Sequence, residues 1–246
     1  MNKKKIGIII EARTGSKRLP SKILNKVNGI TILEYLILRV RKQKFIKEII
    51  VATSYLKEDD LIIDICKKNK VKYFRGDKNN LIKRVSSAAT EFAITDIVQL
   101  TSDNPLVDLS TLKKLYDIYI KNNYDIVSNS FVRTYPIGSD IRIFSLSKLI
   151  QNSKKVIGKN RQHTCYFFLK NLKKLKTFNL VAEKKLNRPD LRITLDYKED
   201  FIVLKEIISK LAKNNEYFNL SKIINFLDKN PKLKKKNSQY AKHYKV

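Results

Sequence analysis

Four cations crowd ten residues near the amino terminus. Arg13, Lys17, Arg18 and Lys22 stand around a single glycine, Gly15, in the stretch EARTGSKRLPSK (11–22). Like charges this close repel unless water or an anion stands between them. The stretch follows the apolar run 6–10 and matches neither GxxxxGK[ST] nor GxGxxG, so it is not a Walker loop or a dinucleotide fingerprint. It reads as a post-strand loop whose amides and cations can surround a polyphosphate. The competing reading is a basic loop bathed in water, against which Pro20 after Leu19 argues by fixing the exit geometry.

Two carboxylates add a second kind of chemistry. Asp103, in VQLTSDNPLVD (98–108), lies just past an apolar run, and Pro105 interrupts any helix that it could cap. Asp108, ahead of the next helical stretch, is better placed as a cap. Asp196 ends the alternating segment LRITLD (191–196), with Glu199 and Asp200 opening a helix behind it. Capping is the plain reading there too. Yet two strand-end carboxylates beside a cationic loop are the parts needed for metal-assisted phosphoryl or nucleotidyl transfer. Magnesium takes carboxylate oxygens together with phosphate and water, and nearby cations neutralise charge growing on a leaving group.

Such a site needs a scaffold. Short runs rich in Ile and Val at 6–10, 48–53, 71–75, 96–101 and 125–128 predict buried parallel strands. Helical spacing fills the gaps at 31–43, 58–69, 79–92 and 110–122. The first of these opens on a capping box, Thr31 with Glu34, and Ser110 is the N-cap expected for the last. Strand–helix alternation gives an α/β fold, a mostly parallel sheet with helices on both faces. Ligands then sit beyond the carboxyl ends of the strands, where both 11–22 and 102–108 fall. The pattern breaks after Asn129. A loop and strand in RTYPIGSDIRIF (133–144), a strand at 191–196, and helices at 198–213 and 219–229 follow. The economical division is one domain over 1–229 with a small middle insertion at about 129–190. A basic tail, 230–246, is expected to be an extended or frayed strap.

Composition bounds the rest. The chain has 246 residues, 43% of them hydrophobic, enough for a large core. No run approaches the length of a membrane span, and 6–10 is too short for a signal-peptide core, so a cytoplasmic location is expected. Cys66 and Cys165 stand apart with no CxxC, which argues against disulfides and structural zinc. Fifty-two Lys+Arg against 23 Asp+Glu give a net charge of +29. Nucleic-acid binding is one reading of that charge. The other is codon bias in a chain rich in Lys, Asn and Ile together, and no RNA- or DNA-binding signature accompanies the charge. Either way the surface field draws in polyanions.

The segments EARTGSKRLPSKIL, IIVATS, FRGDKNNLIKR, TSDNPLVD, YPIGSDIRIF, RQHT and LRITLDYKEDF occur in an order that resembles the cytidylyltransferase superfamily. The branch most similar is that of the spore-coat polysaccharide biosynthesis protein F, with the CMP-sialic acid and CMP-Kdo synthetases as relatives. The resemblance spans about 6–211. It implies a nucleotide-diphospho-sugar transferase-like, Rossmann-like fold, and a reaction in which an acceptor oxygen attacks the α-phosphate of CTP and pyrophosphate leaves. It further implies that Ala12 and Arg13 lie against the nucleotide, and that Arg13, Ser16 and Lys22 hold the triphosphate, Lys22 stabilising the transition state. Asp103 and Asp196 would bind Mg2+, and Arg75 would lie on the nucleotide side. A homodimer is implied as well.

The chain departs from the family pattern at Glu11 (usually Gln), Ser102 (usually Gly), and Asn80 and Arg142 (both usually acidic); Gln162-His163-Thr164-Cys165 stands for the family's E-H-V/I-T. The nucleotide half is mostly kept, while the acceptor half has lost acids and gained a cation. An anionic sugar-acid or phosphorylated acceptor, met by Arg142, Arg161 and His163, is therefore expected, for surface polysaccharide biosynthesis. Arg142 as an outward-facing strand residue and His163 as a core histidine are the competing readings. A catalytically inactive nucleotide-binding relative is the alternative function, and a nucleic-acid binder a further one.

Overall fold

Residues 4–212 and 217–241 are described by the structure, a computed structural model. Strands β1 (Ile6–Glu11), β4 (Glu48–Ser54), β5 (Lys72–Gly76) and β6 (Asp96–Thr101) form a parallel half-sheet in the order β5-β4-β1-β6. β7 (Ile126–Ser128), β8 (Arg142–Ser145) and β9 (Thr177–Asn179) extend it to seven strands in the order β6-β8-β7-β9. β8 runs antiparallel to both neighbours. The middle insertion is therefore no appendage, because its strand β8 is wedged into the central sheet. A small hairpin, β2 (Lys26–Val27) with β3 (Ile30–Thr31), and β9 itself were not legible in the sequence pattern.

Both sheet faces are covered. Ile8, Ile10, Val51 and Val98 point to the side of α1 (Ile32–Val40), α2 (Asp60–Lys68) and α4 (Leu109–Lys121). Ile9, Ile50, Ala52 and Ile97 point to α3 (Leu81–Glu91), α5 (Leu146–Ser153) and α6 (Tyr166–Lys170). This is the alternation that a doubly covered sheet requires. A third cluster joins α7 (Lys198–Leu211) and α8 (Leu220–Lys229) to Leu191, Ile193 and Leu195.

Several boundaries differ from the sequence reading for definable reasons. The Thr31 hydroxyl accepts from the Glu34 amide as expected, but the Glu34 carboxylate turns to Lys68 and Asn69 instead of closing a capping box. Asp108, not Ser110, caps α4. Its carboxylate accepts from the Thr111 amide and hydroxyl, and also from the Leu220 amide and Tyr217 hydroxyl, so one side chain anchors two helices. The helix expected over 198–213 ends at Leu211, and Lys213 lies outside the described residues. The tail is not a frayed strap: α9 (Pro231–Lys235) and a 3-10 turn (Ser238–Tyr240) fold onto the domain, with 242–246 outside the described residues.

The largest correction concerns 191–196, which is extended but joins no sheet. The Ile193 amide donates to the Ile137 carbonyl (2.8 Å), the Ile137 amide donates to the Leu191 carbonyl (2.9 Å), and the Leu195 amide donates to the Asp103 carbonyl (2.8 Å). This zipper depends on Gly138, at φ +101°, where a Cβ would lie 2.5 Å from the Thr194 nitrogen. Gly138→Ala is therefore expected to cost roughly 2 kcal/mol or more. Thermal unfolding would show this as a fall of about 5 °C or more in Tm; an unchanged Tm would show that the loop tolerates a side chain there.

Candidate active site

The zipper delivers two distant aspartates to one point. Asp103 leaves β6 in a tight turn, and its carbonyl receives both the Leu195 amide and the Thr194 hydroxyl (3.2 Å). Asp196 is thereby held beside it. Between them stands the ammonium of Lys22, 2.8 Å from Asp103 Oδ2 and 2.9 Å from Asp196 Oδ1. Lys22 is rooted in a 3-10 turn, Lys22–Leu24, and is 8% exposed. Burial alone would pull its ammonium down, but the charges of Asp103 and Asp196 outweigh it and raise it above the ordinary lysine value. Burial would likewise raise the Asp196 carboxyl, yet Lys22 and Arg18 bring it to about 2.

Asp196 collects more cations than the sequence suggested. Arg18 Nη2 sits 2.8 Å from Oδ1, so this side chain, half-exposed, is not simply solvated. Arg192, almost fully buried, donates to Asp196 Oδ2 (3.0 Å) and doubly to Asp200 (2.8 and 2.9 Å). Asp200 also accepts from the Asp196 and Tyr197 amides, so it caps α7 while locking the arginine. Sequence reasoning passed over Arg192. The spacing Arg192-x-x-x-Asp196-x-x-x-Asp200 was its only signal.

The cationic loop is held from below by Asp59, also missed. Its Oδ1 accepts from the Thr14 amide (2.8 Å) and hydroxyl (2.7 Å), and Oδ2 from the Ser54 hydroxyl. This bends the chain so that the Ser16 and Ser21 amides both reach the Thr14 carbonyl. Ala12 is buried and joined to β4 through the Ala52 carbonyl. Ser16 is half-buried and Arg13 is exposed. Arg13 lies near Arg84, whose guanidinium is held below its usual value by burial first and by the Arg13 charge in addition.

Arg75 braces rather than reaches: it donates to the Ser54 and Leu56 carbonyls and pairs with Asp60 at 2.7 Å. In the acceptor half, Arg142 lies in register with Gln99 and Ser128 and approaches Asp140 at 3.5 Å, where Arg133 forms a two-pronged pair. It is mostly buried, not an outward strand residue. His163 is exposed, which excludes the core-histidine reading. Arg161 is exposed and donates to the Val156 carbonyl.

Glu11 turns away from the loop. Its Oε1 accepts from Gln99 Nε2 (2.7 Å) and the Thr164 hydroxyl (2.6 Å), linking β1 to the insertion. Burial pushes its carboxyl up, and the Thr164 and Gln99 hydrogen bonds only partly offset this. A raised carboxyl loses stability as pH climbs past the unfolded value, because only the unfolded chain ionises freely. Glu11→Gln keeps an acceptor oxygen and removes the buried charge. We expect it to stabilise the protein by about 1 kcal/mol at pH 8, with the gain fading below pH 4.5, in thermal unfolding across pH. A loss of stability at pH 8 would show that the carboxylate is the preferred state.

Among the described residues, no group of three or more His, Cys, Asp or Glu could hold a metal ion unaided. The pair Asp103 and Asp196 nevertheless fits Mg2+, which binds through one or two carboxylates completed by substrate phosphates and water. Their oxygens already converge on one positive charge. No helix among the described residues is long and apolar enough to cross a membrane.

Known proteins resemble the chain over most of its length. The cytidylyltransferase family profile matches residues 7–224. An uncharacterized protein of Methanocaldococcus jannaschii is 36% identical over 233 residues, covering 94% of this chain and 93% of that one. The spore coat polysaccharide biosynthesis protein SpsF of Bacillus subtilis is 28% identical over 230 residues, covering 91% and 94%. A cytidylyltransferase structure from Leptospira borgpetersenii superposes with a TM-score of 0.89 at 35% identity, covering 94% of this chain and 97% of that one.

Proposed function

Because the chain belongs to the cytidylyltransferase family, whose members are CTP-dependent nucleotidyltransferases, we propose that it transfers CMP from CTP to an anionic sugar-acid or phosphorylated acceptor in surface polysaccharide biosynthesis. An acceptor oxygen attacks the α-phosphorus, a new P–O bond forms, the α–β bridge breaks, and the electron pair leaves with pyrophosphate. One observation carries the reading: a single ammonium, from the cationic loop, bridges two carboxylates that lie 93 positions apart in the chain (103 to 196).

Each residue has a task in this scheme. Arg13 and Ser16 receive the outer phosphates, Ser16 on a loop already shaped by Asp59. Asp103 and Asp196 would hold Mg2+, which when bound neutralises triphosphate charge. Lys22 would pass its ammonium from the carboxylates to a phosphate oxygen, where it stabilises the charge that grows as the bridge breaks. Arg142, beside Arg133 and Asp140 on the insertion, would meet an anionic acceptor there. His163, exposed beside Thr164, and Arg161 offer further donors on the same insertion. The dominant effects are positioning and charge neutralisation, as for phosphoryl transfer generally.

A thermal-shift screen of nucleoside triphosphates with and without Mg2+ tests the first half, since a ligand at 100 times its Kd stabilises by about 2.7 kcal/mol. CTP with Mg2+ is expected to give the largest shift. Pyrophosphate release from CTP against a panel of sugar acids and sugar phosphates tests the second. Absence of any CTP shift would overturn the reading; a shift without pyrophosphate release under any acceptor would favour an inactive nucleotide-binding relative.

A further inference from the structure

The family match stops at residue 224, but the chain beyond it reaches the active site. After α9, Asn237 enters the interior with 2% of its surface exposed. Its amide nitrogen donates to Asp200 Oδ1 (2.8 Å) and to the Arg192 carbonyl (3.1 Å). Those two residues form the cradle of Asp196: Arg192 grips its Oδ2, and Asp200 holds its amide. Three residues later Tyr240 stacks on Tyr197, with ring centroids 3.8 Å apart and planes within 5°. The Arg18 guanidinium lies over the same Tyr197 ring at 5.0 Å while pairing with Asp196.

We propose that the segment after α8 is part of the active site, with Asn237 as the positioning residue for Asp196 and Tyr240 as the brace for Tyr197. The inference rests on the cytidylyl-transfer reading for its catalytic meaning but not for its geometry. Asp200 has no second buried donor of this kind from its own helix. Without Asn237, its Oδ1 keeps only Arg192, and the Asp200 carboxylate that orients Arg192 and the Asp196 amide loses one of its fixed donors. Partners that orient metal-binding groups from behind typically matter by about 10–100-fold in affinity or activity.

The test uses the full chain with Asn237→Ala, Asn237→Asp and Tyr240→Ala. Amide hydrogen exchange over 192–200 reads the positioning directly, Mn2+ binding by electron paramagnetic resonance reads the carboxylate pair, and kcat and KM for CTP read the consequence. Asn237→Ala is expected to speed exchange of the Asp196 and Tyr197 amides about tenfold or more, weaken Mn2+ about tenfold, and lower kcat with KM for CTP little changed. Asn237→Asp, equal in volume, is expected to be at least as damaging, because an oxygen would then face Asp200. A packing role alone predicts that it behaves like the parent. Tyr240→Ala, at the surface, is expected to fold and to raise exchange at Tyr197. Unchanged exchange and Mn2+ affinity in both Asn237 variants would overturn the inference. Should the parent protein neither bind Mn2+ nor release pyrophosphate, the function reading falls, while the exchange data still decide the role of Asn237.

Discussion

Lys22→Met lowers kcat by about three orders of magnitude, the loss expected when a preorganised charge at a developing oxyanion is removed. The substitution keeps the aliphatic stem, so the 3-10 turn that carries it should survive. KM for CTP should rise far less, since in the proposed scheme Arg13, Ser16 and the loop amides would still hold the triphosphate. The stability effect has the opposite dependence on metal. Without Lys22, Asp103 faces Asp196 with no cation between them, although Arg18 and Arg192 remain on Asp196. A loss of about 1–2 kcal/mol is expected in chelator. Divalent ions should restore much of it, and more strongly than they stabilise the parent. Steady-state kinetics and thermal unfolding with EDTA or Mg2+ decide the matter. A kcat within tenfold of the parent would remove Lys22 from the mechanism.

Asp103→Asn and Asp196→Asn are expected to lose activity to a similar degree, about 10³-fold or more, but to part company in stability. Asp103 is half-buried and, among the described residues, bonds only Lys22 through its carboxylate. Its replacement should leave Tm within a few degrees. Asp196 pairs with Lys22, Arg18 and Arg192 together, so its loss takes one partner from each, leaving Lys22 to Asp103 and Arg192 to Asp200, and about 2 kcal/mol is expected. The pH dependence follows from the sign of its shift. A carboxyl lowered from 3.8 to about 2 contributes stability that is complete above pH 3.8 and disappears as pH falls toward 2. Asp196→Asn should therefore flatten acid unfolding between those values, measured by circular dichroism. Equal Tm losses in the two variants would contradict this division of labour.

The contrast between Asp103 and Asp196 also shows what a sequence can carry. The strand at 96–101 was legible to the residue because Asp96–Thr101 is buried on both sides and bounded by turn residues. The segment 191–196 alternates apolar and polar positions instead, and alternation reports burial, not the partner. Here the partner is a loop around Ile137 rather than a sheet edge. The meeting of Lys22 with Asp103 was reachable because each lies in a loop following a strand, and such loops gather at one side of a parallel sheet, whereas Asp196 arrives on a segment outside the sheet. Asp59 was not reachable. Flanked by Glu58 and Asp60, it reads as an ordinary acidic helix start, and its bond to Thr14, 45 residues away, leaves no local trace. Arg192 and Asn237 were hidden for the same reason, since a buried polar network is defined by its closure and not by any one member.

The ammonium lodged between Asp103 and Asp196 has a consequence for the resting enzyme. On the proposed reading, two carboxylates that share a divalent ion would push each other apart without it, and the pocket would loosen between turnovers. The tethered ammonium would keep them in place until nucleotide and ion arrive as one ligand. Dialysis against a chelator should then leave the melting curve where it was.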